Sequence, residues 1–352
     1  MTLLNTLLDR IEQHGPMTVA DYMNECLLHP HLGYYATRDP LGEAGDFITA
    51  PEISQMFGEL VGLALARAWM DQGKPAQFTL AEVGPGRGTL MADILRATRS
   101  VPGFTKSARI VLIEASPVLR EIQRETLSDH VPDWIANMDR LPEAPLFIVA
   151  NEFFDALPIR QFIRDGQFWR ERCIGAADGA LQFGLGAPLP RADLDYRLDD
   201  TRNGDLVEIC PAASTIMTEI GQRIEVHGGA GLLIDYGDWR SQGDTFQSVR
   251  NHTFADPLKN PGQADLTAHV DFEALCLSAP CAHTRLTPQG VFLERLGIAQ
   301  RTEALSKSGD ETLSKELRIA HHRLTHASEM GNLFKTLGLY QTNGAPPPGL
   351  DP

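Results

Sequence analysis

Residues 78–96 read FTLAEVGPGRGTLMADILR, with glycines at alternate positions 84, 86 and 88. Few folds accommodate such a stretch. A short apolar run must end in a sharp turn, and a helical pattern starts at once behind it. Glycine permits positive φ and lets the backbone approach a neighbour or ligand closely. The helix behind the turn offers free N–H groups and the positive end of its dipole. The same rhythm continues downstream. RIVLIEA (109–115) reads as a second strand, and SPVLREIQRETL as a helix with Ser116 as N-cap and Pro117 at the first helical position. DWIANM is a weak third strand and PLFIVANEF (145–153) a strong fourth. Strands alternating with helices imply an α/β fold, a parallel sheet with helices on both faces.

The spacing of the glycines selects among ligands. A dinucleotide fingerprint requires G-x-G-x-x-G, and its third glycine would fall on Thr89. A P-loop requires Gly-Lys-Ser/Thr, which is absent. The pattern is G-x-G-x-G, with Glu82 two residues before the first glycine. That arrangement resembles motif I of class I S-adenosylmethionine (SAM)-dependent methyltransferases. SAM carries a sulfonium and an ammonium and no pyrophosphate, so an acid beside the turn suits it better than it suits NAD. Glu114 closes the second strand, where a carboxylate accepts both hydroxyls of a ribose. The plainer reading of these residues is a tight strand-to-helix turn flanked by surface acids.

The loop after the fourth strand, NEFFDALP, lies where the transferred methyl group is handled in such folds. Ligands bind beyond the carboxyl ends of the strands in open parallel sheets. Asn151, Glu152 and Asp155 supply an amide and two carboxylates, and Phe153 and Phe154 supply aromatic surface. Carboxylates suit a guanidinium, whose N–H donors form a planar fork. Phe154 reads better as core than as site. Nucleic-acid amino-methylating enzymes place Pro and an aromatic after the Asn or Asp; here Glu152 and Phe153 follow.

Net charge argues the same way. A net charge of −15 argues against duplex DNA binding, which requires a basic face; it is compatible with a cationic or basic-peptide partner, and otherwise only keeps the protein soluble. Five cysteines without a CxxC pair fit free thiols in a reducing compartment. No apolar run is long enough to span a membrane. The first 15 residues have helical apolar spacing and two acids but no basic n-region, so they read as a first helix and neither a signal nor a transit peptide. His321, His322 and His326 lack acidic or Cys partners at ligand spacing, so no metal is expected.

Around the α/β unit, residues 1–30 predict two helices, with Gly15 ending the first and Thr18 capping the second. Thr49 and Glu52 have capping-box spacing before a helix over 49–71. Residues 159–207 alternate, with turn signals at Asp165-Gly166 and Asp178-Gly179, and predict inserted antiparallel hairpins. A helix around 212–226, a fifth strand at GGAGLLIDYGD, a helix at DFEALCLSA and a last strand near LGLYQ follow. Asp235-Tyr236-Gly237 ends the fifth strand, so Tyr236 either lines the pocket or merely closes the strand. The division expected is 1–77 (helical and lid), 78–342 (methyltransferase domain with the insertion) and 343–352 (a disordered Pro/Gly tail).

The segments GDFITAPEISQMFGELVG, EVGPGRGTLMADILR, NEFFDALP, ADLTAHVDF and QGVFLERLG resemble the MidA family, whose mitochondrial members are protein arginine methyltransferases assisting respiratory complex I assembly. The resemblance runs from about residue 3 to residue 340. It implies a class I SAM-methyltransferase fold, Rossmann-like with a mostly parallel seven-stranded sheet, an N-terminal helical extension and an inserted substrate-binding part. It implies SAM as cofactor, with Gly84, Gly86, Gly88, Glu114 and the GDF residues Gly45, Asp46 and Phe47 at its site. Glu82 and Met138 join them, Met138 where adenine is usually contacted. It also implies symmetric ω-dimethylation of an arginine in the 49-kDa-type subunit of complex I, with Glu152, Asp155 and Asn151 as catalytic candidates. The mitochondrial members carry His at the position of Asn151. A bacterial, cytoplasmic member is expected. The insertion either grips the substrate or pairs two copies in a homodimer. Two rival readings remain: an assembly protein with a vestigial SAM site, and a small-molecule or nucleobase methyltransferase.

Overall fold

The computed structural model describes residues 2–37, 48–250 and 253–352. Two helices open the chain, α1 (Leu3–His14) and α2 (Val19–Leu28). Gly15 ends the first at φ 84°, and the Thr18 hydroxyl accepts the Asp21 N–H to cap the second. The capping box expected at Thr49 and Glu52 does not form. Thr49 makes no side-chain cap bond, and the helix breaks at Ser54 into α3 (Ala50–Ile53) and α4 (Gln55–Asp71). Glu52 accepts instead from the Thr89 hydroxyl at 2.5 Å. A partner distant in sequence has replaced the local one.

The α/β unit follows: β1 (Phe78–Val83), α5 (Thr89–Thr98), β2 (Ala108–Ile113), α6 (Pro117–Thr126), β3 (Asp133–Ile135) and β4 (Leu146–Asn151). The insertion contributes β5 (Arg160–Asp165), β6 (Phe168–Ala177), β7 (Ala180–Leu189) and β8 (Leu206–Ile209). Then come α7 (Pro211–His227), β9 (Gly229–Asp238), α8 (Phe272–Ser278), β10 (Ala282–His283) and β11 (Phe334–Tyr340).

The main sheet runs β10-β11-β9-β4-β1-β2-β3. Its pairs are parallel except those of β11, which is antiparallel to β9 and β10. This is the mostly parallel seven-stranded sheet expected. Two further two-residue strands, Val270–Asp271 and Thr287–Pro288, add to β9 and β11. Every residue of β1 and β4 is buried, because helices cover both faces. Leu80, Leu112 and Phe147 pack on one side with Phe57, Leu65 and Ile94. Ala81, Val111 and Ile148 pack on the other with Met217, Ile220 and Leu275. The chain steps outward from β1 through β3, then returns across β1 to lay down β4. Strand order therefore reverses between β1 and β4, and their carboxyl ends open a crevice there.

The insertion is a separate antiparallel sheet, as its alternation predicted. Asp178 (φ 51°) and Gly179 (φ 75°) form its two-residue turn, which requires positive φ at both positions. Met17 and Thr18 pair with Ile174 and Cys173 of β6, tying the N-terminal helices to the insertion.

The Pro/Gly tail, expected to be disordered, is packed. Leu350 is buried in the main core, and the Arg285 N–H donates to the Asp351 carbonyl. Arg295 adds a salt bridge to Asp351 at 2.9 Å and a bond to the Gly349 carbonyl at 3.1 Å, contacts distant in sequence that the tail's composition does not reveal.

Candidate active site

The three glycines all adopt left-handed backbone: Gly84 at φ 63°, Gly86 at 52° and Gly88 at 84°. Gly88 is the N-cap of α5. At Gly84 the need is double, because a Cβ there would also lie 2.7 Å from the Phe153 ring. The loop after β4 packs directly on the turn.

Two acids flank the turn. Glu82 is buried in β1, and its Oε2 has no hydrogen-bond partner among the described residues. Burial raises its pKa well above the usual carboxylate range, and the nearby Glu114 adds to the rise. Glu114, at the end of β2, accepts the Ser116 N–H at 2.7 Å and Gln123 Nε2 at 3.2 Å. Burial raises its pKa as well. Gln123 also donates to the Gly86 carbonyl at 2.7 Å and receives Trp134 Nε1 at 2.9 Å. Gln123 was not singled out from sequence. Its place on the inner face of an amphipathic helix resembles ordinary core packing, yet it ties the second acid to the glycine turn.

The glycine turn and the two acids line a cavity of about 1090 Å³. Gly84, Gly86, Glu82, Glu114 and Met138 are on its wall, with Tyr35 and Leu27 from the N-terminal part and Thr215 from α7. Gly45, Asp46 and Phe47, expected at the cofactor, lie outside the described residues.

Asn151, Glu152 and Phe153 reach the same cavity from the end of β4. Glu152 has φ 52°, a left-handed backbone that non-glycine residues seldom adopt. Such strain persists only where surrounding structure fixes it, and it clusters at functional sites. The Glu152 N–H donates to the Ile234 carbonyl at 2.9 Å. Its Oε1 accepts the Ala50 N–H at 2.9 Å and Asn151 Nδ2 at 3.2 Å. Glu152 meets the cavity but is crowded by protein, and desolvation raises its pKa to about 7. Asn151 Oδ1 is buried without a partner among the described residues.

Asp235, on β9, fixes this loop. Its Oδ2 accepts the N–H groups of Phe153 at 3.1 Å and Phe154 at 2.9 Å. It is 1% exposed, and burial beside Asp155 and Glu152 pushes its pKa well up. The sequence placed Asp235 at the ligand edge without a role, and its backbone partners are some 80 residues away. Asp155 does not stand with Glu152 on the described cavity wall. It is buried behind the loop toward Tyr236, and burial raises its pKa too. Phe154 is core, as expected. Tyr236 packs edge-on against His269 and Phe334.

The residues on the wall suit SAM. The unpartnered Glu82 Oε2 leaves a buried hydrogen-bond acceptor beside the glycine turn, and Glu114 retains lone pairs for two ribose hydroxyls. Sheet order, glycine turn and paired acids thus define a SAM-dependent methyltransferase. Comparison with known proteins agrees. A family model described as S-adenosyl-L-methionine-dependent methyltransferase matches residues 60–291. The human mitochondrial protein arginine methyltransferase NDUFAF7 is 39% identical, over 96% of this chain and 83% of its own. The Drosophila melanogaster homologue is 34% identical, over 96% and 85%. A Burkholderia thailandensis structure bound to S-adenosyl-homocysteine superposes with a TM-score of 0.84 at 29% identity, covering 97% of this chain and 92% of the other. The chain belongs to this methyltransferase family, the one that includes the NDUFAF7 proteins, and its cofactor is SAM.

Proposed function

We propose that this methyltransferase modifies an arginine side chain of a protein, by symmetric ω-dimethylation of the 49-kDa-type subunit of respiratory complex I. The observation that carries the reading is Glu152. Its carboxylate, on a strained backbone, is held by Ala50 and Asn151 at the carboxyl end of β4, next to Phe153, which packs on the glycine turn. A guanidinium presents parallel N–H donors to such a carboxylate. Pairing with it also offsets the desolvation that raises the Glu152 pKa, so the cationic acceptor and the ionised acid stabilise each other. The names of relatives at 34–39% identity, all protein arginine methyltransferases, support the same acceptor.

SAM supplies an electrophilic methyl carbon on a sulfonium. The protein's part is to bind the acceptor, orient one nitrogen and exclude water. Glu152 orients the guanidinium, Phe153 closes the cavity beside Gly84, and Asp235 holds both in register through the loop backbone.

The test is mass spectrometry of the purified 49-kDa-type subunit after incubation with this protein and SAM. A gain of two methyl groups on one arginine is expected. An unmodified subunit, or methyl transfer only to small molecules or nucleobases, would sink the proposal.

A further inference from the structure

The cofactor's amino-acid end still lacks an identified anion for its ammonium. Glu114 and Met138 account for the nucleoside side of the cavity, and Glu152 marks the acceptor side. Glu82 is a poor partner for a charged amine. It is buried, and burial beside Glu114 favours its neutral form. Glu52 is different. It is half-buried on the cavity wall, and its Oε1 accepts from Thr89, the first residue after the glycine turn. Its Oε2 makes no hydrogen bond and neither oxygen pairs with a cation among the described residues. The helix it stands on is joined to the methyl-acceptor loop by the Ala50–Glu152 bond. Glu52 therefore sits where the glycine turn meets α5, with one oxygen fixed by Thr89 and the other without a partner among the described residues.

We infer that Glu52 is the residue that binds the α-ammonium of the cofactor's methionine moiety. Thr89 orients the carboxylate for that purpose, and its hydroxyl bond explains why Glu52 leaves the local helix cap. The same bridge puts α3 in contact with both donor and acceptor ends of the cavity. This inference needs only the cofactor and is independent of which acceptor is methylated.

The experiment is calorimetric binding without turnover, using S-adenosylhomocysteine and its analogue with hydrogen in place of the amino group. Wild-type protein should bind the deaminated analogue roughly 10- to 100-fold more weakly, the range for losing a charge-assisted hydrogen bond. Glu52→Gln should lose a similar factor for S-adenosylhomocysteine and nothing for the analogue. Glu52→Asp keeps the charge on a shorter arm. It should weaken S-adenosylhomocysteine by a smaller factor and again leave the analogue unchanged, which covers the case of a poorly folded Gln variant. Equal affinity of wild type for the two ligands overturns the inference. So does a loss shared equally by both ligands in the variants, which would mark Glu52 as structural only.

Discussion

The two sides of the crevice that we propose hold the methyl donor and its acceptor meet at Gly84, where Phe153 packs on the turn, yet they are built in opposite ways. The donor side is a contiguous segment, Glu82–Thr89, plus Glu114 one strand later. Its shape comes from three glycines in left-handed backbone and one glutamine brace. The acceptor side is assembled from segments far apart in sequence. Glu152 is held by Ala50, 102 residues away, and its loop by Asp235 on β9. The donor side needs backbone freedom, which a local motif can encode. The acceptor side needs buried carboxylates held in strained positions, which only packing supplies.

The largest expected effect separates the two sides outright. Glu152→Gln should lower methyl transfer by ~100-fold or more while calorimetry finds SAM affinity unchanged. Full activity in this variant would remove Glu152 from the acceptor site. Its pH behaviour sharpens the point. Acceptor binding uses the ionised form, so kcat/KM should fall as pH drops through about 7. Stability of the free protein should move the other way. A carboxyl raised from 4.5 to about 7 on folding gives its full contribution below pH 4.5, and that contribution is lost as pH rises through about 7. Glu152→Gln should flatten both profiles, measured by steady-state rates and by thermal melts.

Gly84→Ala tests the contact between the sides. It combines positive φ with a Cβ 2.7 Å from the Phe153 ring. A stability loss of ~1–3 kcal/mol is expected, with weaker SAM binding and slower transfer together. A variant that loses binding alone would show that the two sides are less tightly joined than the packing implies.

Asp235→Asn should give the smallest change and confine it to the acceptor side. One oxygen still accepts from the loop, but the amide NH2 replaces the Oδ1 that accepts the Tyr236 N–H, at a cost of about 1–2 kcal/mol in denaturant melts. The turnover rate should fall several-fold with SAM affinity intact. Weaker SAM binding in this variant would place Asp235 on the donor side.

How much was legible in the sequence follows the same division. The glycine turn, Glu82, Glu114 and the strand–helix rhythm were readable because each depends on neighbours a few residues away. The inserted hairpins were readable from Asp-Gly turn pairs. The break at Ser54, the packed Pro/Gly tail, the brace by Gln123 and the loop anchor Asp235 were not. In each of those places a partner distant in sequence outweighs the local preference. Glu52 shows the contrast within one residue, since its spacing from Thr49 predicts a helix cap and its actual partner is Thr89.

The sequence by itself therefore determined the α/β class, the glycine turn and the loop after β4 that reaches the same cavity. Tertiary structure alone decided which carboxylates share the cavity. Asp155 turns behind the loop toward Tyr236, while Glu152, three residues earlier, is held toward the crevice. Chain connectivity places both acids on one short loop. Only the hydrogen bonds of Ala50 and Asp235, brought there by sheet packing, fix which of them faces the cavity.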